Sequence, residues 1–136
     1  MKRGQSSVEF LTILSFIFLM IIPLILVFIE NSTDVRDSIS VNHIRNIAVR
    51  LVDKSETMYY LGGTSKTTVK ALFPNNIEFV NITHDSITFT YNNARNKLQY
   101  ITIVSAVNLT GNISNKPGIH AMEIISEGDE VSVRDT

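Results

Sequence analysis

The chain has 136 residues with 12 basic and 13 acidic side chains, one domain's worth at most, and its net charge of −1 gives no electrostatic footprint for nucleic acid. It holds no cysteine, which excludes disulfides, thiolate chemistry and sulfur-ligated metal sites. Its 3 histidines, His43, His84 and His120, are scattered without an HxxxH or HExxH pair, so no zinc site is expected.

The positive mean hydropathy of +0.15 is concentrated in one block. Phe10 to Ile29 reads FLTILSFIFLMIIPLILVFI, twenty uncharged residues in which Thr12, Ser15 and Pro23 are the only departures from apolarity. As a helix this block spans about 30 Å, the thickness of a hydrocarbon core. Lys2 and Arg3 precede it, and Glu30, Asp34 and Asp37 follow it. The positive-inside rule therefore places the N-terminus in the cytoplasm and residues 31–136 outside. A cleaved secretory signal would be shorter and would end in a small-x-small site. Val27-Phe28-Ile29-Glu30 offers none, so the block is expected to stay in the working protein.

Glu9 stands directly before the apolar run. Alone it reads as a carboxylate at the membrane border, favoured by the helix dipole. Its neighbours, Arg3-Gly4-Gln5-Ser6-Ser7-Val8-Glu9, make a more specific pattern. This string resembles the class III signal peptide of archaeal type IV pilin-like proteins: a short basic leader, a Gly before the cut, then Gln-x-Ser-x-Glu and a long apolar stretch. Gly4, Gln5, Ser7 and Glu9 hold those places in register. The resemblance covers residues 1–30. It implies that a prepilin peptidase cuts between Gly4 and Gln5, which makes Glu9 the fifth residue of the mature chain, where pilins place their assembly glutamate. It also implies a membrane precursor that an assembly platform builds, with other copies and other pilins, into an adhesive surface filament. A minor or stator-like accessory pilin carries the same leader. An uncut, single-pass surface domain is the rival of a different class.

Physical chemistry fits that implication. A cut before the apolar block keeps the helix and creates an α-amino group whose ordinary pKa is about 8. A bare carboxylate buried among packed helices costs several kcal/mol. Pairing it with the Gln5 ammonium of a neighbouring copy removes much of that penalty and selects one axial stagger. Pro23 removes a backbone donor and can kink the helix. Pilin-like helices often carry such a proline, and ordinary transmembrane helices tolerate one equally. Thr12 and Ser15 can bond across helices, though such hydroxyls more often return to their own backbone carbonyls.

After Ile29 the chain turns polar. Ser32, Thr33 or Asp34 can cap a new helix, or one helix can run through them. Beyond, Val41, Ile44, Ala48, Leu51 and Met58 recur at spacings of three and four with one gap at Ser55, and Ile47, Val52 and Tyr59 widen the stripe. This predicts an amphipathic helix with one core-facing side, stopping at Gly62-Gly63. Continuous from residue 5 to 61, the two halves would make one helix of about 85 Å.

From Lys66 the apolar period falls to two, over 68–73, 77–82, 87–91, 98–104, 119–125 and 131–133. Turn clusters separate these runs, the longest from Asn108 to Gly118. Five or six short strands predict an antiparallel sheet, and with helix 40–61 on one face they give an α+β head. The expected organisation is a leader (1–4), a pilin-like helix (5–61) and a β-rich head (62–136). Asn-x-Ser/Thr triplets at Asn31, Asn81, Asn108 and Asn112 are candidate N-glycosylation sites. Asn108 and Asn112, in a predicted loop, are the preferred pair, with Asn81 beside them. Asn31 would lie too near the membrane. No Ser-His-Asp order, paired carboxylates or phosphate loop stands out; Gly62-Gly63-Thr64 lacks the Gly-Lys-Ser/Thr of a P-loop. Neither a cofactor nor an enzymatic activity is expected.

Overall fold

The structure, a computed structural model, describes residues 2–136, with side chains from Ser6 onward. The fold is α+β: one long helix, α1 (Lys2–Leu61), followed by seven strands. Two compact units divide within α1, the first running up to Arg36 and the second being Asp37–Thr136. The second half of α1 therefore belongs with the strands, not with the apolar segment.

In the first unit no glycine or charge interrupts Phe10–Ile29, and the helical assignment continues through Pro23. Thr12 Oγ1 donates to Val8 O at 2.9 Å and Ser15 Oγ to Leu11 O at 2.8 Å. Both hydroxyls thus return to their own backbone. Thr33 Oγ1 donates back to Ile29 O at 3.1 Å. It therefore joins the preceding turn and caps no new helix, and the assignment is unbroken across residues 30–34.

In the second unit α1 buries Ile44, Ile47, Ala48, Leu51, Val52 and Met58, the stripe expected from the sequence. The gap at Ser55 is also buried. Its hydroxyl donates to Leu51 O at 2.8 Å, so the polar atom is satisfied inside the helix while its small side chain faces the core. The helix ends where Gly62 and Gly63 take φ of 69° and 67°, a left-handed conformation that glycine adopts without steric cost. Gly62 N donates to Tyr59 O at 3.1 Å, closing the last turn.

The strands are β1 (Lys66–Phe73), β2 (Ile77–Thr83), β3 (Ser86–Asn92), β4 (Leu98–Val104), β5 (Asn108–Asn112), β6 (Gly118–Ser126) and β7 (Glu130–Asp135). They form two sheets, not one: a four-stranded sheet in the order β1-β6-β7-β5 and a three-stranded sheet in the order β2-β3-β4. The first sheet is mixed, because β5 pairs with β7 in parallel while β1, β6 and β7 pair antiparallel. The second is wholly antiparallel.

One core joins α1 and both sheets. Val69, Phe73, Met122, Ile124, Val131 and Val133 line it from the first sheet, and Ile87, Phe89 and Ile101 from the second. Phe73 meets Phe89 edge-on with ring centroids 5.8 Å apart. Each such side chain contributes about 1.5–3 kcal/mol on burial. Polar ties fix the ends of the helical layer: Asp37 Oδ1 accepts from Ala94 N at 2.6 Å, Glu56 Oε1 accepts from Ala106 N at 2.9 Å, and Asn76 Nδ2 donates to Ser40 Oγ at 2.9 Å.

Candidate functional site

Two regions of the chain carry features beyond a packed core. The first is the N-terminal part of α1. Every side chain from Phe10 to Ile29 is exposed except Leu14, which is half-buried. Leu24 and Phe28 reach 73% and 72% exposure. A helix apolar on all sides and buried against nothing in its own chain matches a membrane span by length and composition. Glu9 is exposed at its start, beside Val8, Thr12 and Ile13, which line a shallow groove with it. Gly4 and Gln5, the expected processing pair, lie within the helical backbone of α1, but they fall outside the residues whose side chains are described. The expected pairing of Glu9 with Gln5 joins separate copies and concerns no contact within the chain.

The second region is the surface of the strands. Asn108 and Asn112 were expected in a loop between strands; instead they begin and end β5. The segment Asn-Leu-Thr-Gly-Asn has turn-forming composition, but β7 imposes extended pairing upon it. Gly111 makes that pairing possible: its φ is 135°, and a Cβ there would collide with the Val133 carbonyl. Asn108 is half-buried and its Nδ2 donates to Asp129 O at 3.4 Å, whereas Asn112 is exposed. Asn81 is exposed in the middle of β2. Asn31 is exposed on α1.

The alternation read over 77–82 also breaks. The β2–β3 register shifts between Ile77 and Phe79, a bulge that turns the following residues over. Ile77 is buried, Val80 and Ile82 pack against the core, and Phe79 points outward at 67% exposure. Period-two reading puts Phe79 inside with Ile77. Only the bulge reverses it, and bulges leave little trace in a sequence.

His120 and His43 have ring-nitrogen partners. His120 is buried, with Nδ1 2.6 Å from Asp135 Oδ2 and Nε2 2.6 Å from Lys116 O. Its ring lies 4.4 Å from that of Phe73. His43 Nε2 is 2.7 Å from Leu72 O, and His84 sits in the β2–β3 turn. Among the described residues, no three His, Asp or Glu side chains converge as metal ligands. Tyr91 is buried, which pushes its phenol pKa up; the Asp37 carboxylate adds to the rise and the Arg45 guanidinium opposes it.

No protein-family model matches the chain, and no curated protein or solved structure matches it significantly.

Proposed function

We propose that this chain is a structural subunit of an archaeal type IV pilus-like surface filament with an adhesive role, made as a membrane precursor and cut between Gly4 and Gln5. One observation carries the reading furthest. Twenty uncharged residues, Phe10–Ile29, form a helix that buries almost none of its surface in its own chain. Such a surface requires an outside partner: lipid before assembly, and sister helices afterwards. Glu9 borders that stretch at the place where the leader pattern puts the assembly carboxylate.

In this scheme residues 31–136 lie outside the cell, and Asn81, Asn108 and Asn112 are open to N-glycosylation there. While the precursor stays in the membrane, interfacial water solvates Glu9. On docking, the Gln5 ammonium of a neighbouring copy replaces that water. The attraction exists only between copies, so it favours assembly over the monomer.

The test is Glu9→Ala, expressed beside wild type in the native host. Intact mass first establishes that both proteins begin at Gln5. An uncompensated buried charge or its lost partner is worth about 3–5 kcal/mol per contact, so the variant should enter the membrane normally and yield few sheared filaments. Filaments at wild-type yield would refute the assembly role and return the chain to an anchored surface protein.

A further inference from the structure

The outward faces of the two sheets differ in chemistry. On the four-stranded sheet, Lys66, Lys70, Glu123 and Arg134 stand on the outer side, and Lys66 Nζ lies 2.5 Å from Glu123 Oε1. That face sets charged rows beside the exposed apolar pair Leu72–Ile119. On the three-stranded sheet the register aligns three outward rows: Phe79–Thr90–Tyr100, Asn81–Thr88–Thr102 and Thr83–Ser86–Val104. None of these nine residues carries a charge. Phe79, Tyr100 and Val104 are 67%, 68% and 70% exposed. Thr88 Oγ1 and Thr102 Oγ1 lie 2.9 Å apart and form a hydroxyl ladder between them. Apolar rings interleaved with uncharged hydroxyls and amides suit a neutral, polyhydroxylated partner: a pyranose ring offers a C–H face to an aromatic ring and hydroxyls to threonines.

The chain itself provides the attachment point. Asn81-Ile82-Thr83 is a sequon, and its Asn stands in the central row, next to Phe79 along the strand. Alternate residues of a strand share a face and lie about 7 Å apart. Tyr100, two strands away, is about 10 Å across the sheet. In the folded chain the Asn81 side chain is exposed in that row, so a glycan attached before folding stays outside the core. We propose that Asn81 carries an N-linked glycan whose first sugars lie over Phe79 and run across the threonine ladder towards Tyr100, covering this face.

The co-reactant is an oligosaccharide linked through phosphate to a polyprenyl lipid. Asn81 Nδ2 attacks the anomeric carbon, so a C–N bond forms and the C–O bond to phosphate breaks. The lipid phosphate leaves with the electron pair, and the Nδ2 proton passes to a base of the transferase. In the folded chain Thr83 Oγ1 lies 2.6 Å from Ser86 Oγ and donates to Ser86 O at 3.1 Å, and Asn81 is paired with Thr88. The transfer therefore precedes closure of the β2–β3 hairpin, while the triplet is still extended and its hydroxyl free.

This inference rests on the exported location proposed above, and the experiment separates the two. Protein from the native host, as wild type and Asn81→Gln, is subjected to peptide mass spectrometry and hydroxyl-radical footprinting. The wild-type peptide containing Asn81 should carry a hexose-based mass that Thr83→Ala abolishes. Oxidation of Phe79 and Tyr100 should rise in Asn81→Gln. Ile119, 79% exposed on the other sheet, should be oxidised equally in both. A bare Asn81 overturns the proposal, whether or not Asn108 and Asn112 are modified. Equal protection of Phe79 in both proteins also overturns it, and disulfide cross-linking of Phe79→Cys between copies would then assign the face to a second subunit. Protease added to whole cells separates the readings. Cleavage of the head with Asn81 bare leaves the filament reading standing. A protected head with every sequon bare removes that reading as well.

Discussion

Leu51→Ala tests whether the second half of α1 is structurally part of the strand-bearing unit. Leu51 is 0% exposed and lies among Ile47, Ala48 and Val52 on the core side of the helix. Truncation removes three carbons from a site with no access to water. In a packed core such a change costs about 2–5 kcal/mol, the spread reflecting how far the cavity collapses. The neighbouring side chains come from a rigid helix and two sheets, so little collapse is expected and the upper half of that range applies. Against a total stability of about 5–15 kcal/mol, the variant should be marginal at ambient temperature. For a unit of this size, a loss of about 4 kcal/mol lowers the melting temperature by about 16–32 °C. Val49→Ala is the control, because Val49 is 36% exposed and surface changes usually stay within about 0.5 kcal/mol. Both variants, as full chains in detergent micelles, are unfolded in urea and followed by tyrosine emission, the sequence having no tryptophan. A loss below about 1 kcal/mol for Leu51→Ala, or equal losses for the two variants, would refute the assignment of residues 37–61 to the core.

Two further perturbations probe the strands. Gly111→Ala should separate β5 from β7, since its Cβ would meet the Val133 carbonyl and its φ of 135° disfavours any side chain; faster hydrogen exchange at β5 and β7 amides is the expected result, and unchanged exchange would contradict the close approach. Tyr91 has a pKa raised chiefly by burial, with Asp37 adding and Arg45 opposing, so folding holds its phenol neutral. The stability this contributes is complete below the unfolded value of about 10 and is lost as pH rises from there through the higher folded value; thermal melts in that alkaline range should fall less steeply for Tyr91→Phe than for wild type.

What the sequence revealed followed how local each cause was. The amphipathic stripe of 41–58 and the Gly62-Gly63 stop are written in spacings of three and four and in one backbone requirement, and both appear in the structure as read. Six of the strands announce themselves by alternation. β5 does not, because Leu109 is its only large apolar residue and its extended form comes from β7, some twenty residues away in sequence. The division into two sheets was likewise hidden: pairing partners are chosen by closure of the core, and each strand's own pattern is compatible with several neighbours. The outward position of Phe79 does not follow from the alternation of 77–82, because a single inserted residue reverses every position after it. In the apolar segment the opposite holds. The meaning of Gly4, Gln5 and Glu9 lies in a leader pattern and in partners outside the chain, so folding one copy adds exposure and geometry there but no partner.

The position of β7 has a consequence for the order in which the chain can fold as it is made. It is the latest strand in sequence, yet it lies between β6 and β5, and the Thr136 N–H beyond it donates to Ala121 O at 2.9 Å. Before Glu130 leaves the ribosome, β5 has no neighbour in its sheet and the core lacks Val131 and Val133. The four-stranded sheet thus closes only after synthesis has passed β7, whereas the β2-β3-β4 sheet and the β1–β6 pairing need no residue beyond Ser126. A prematurely stopped chain would therefore display its unfinished core to proteases.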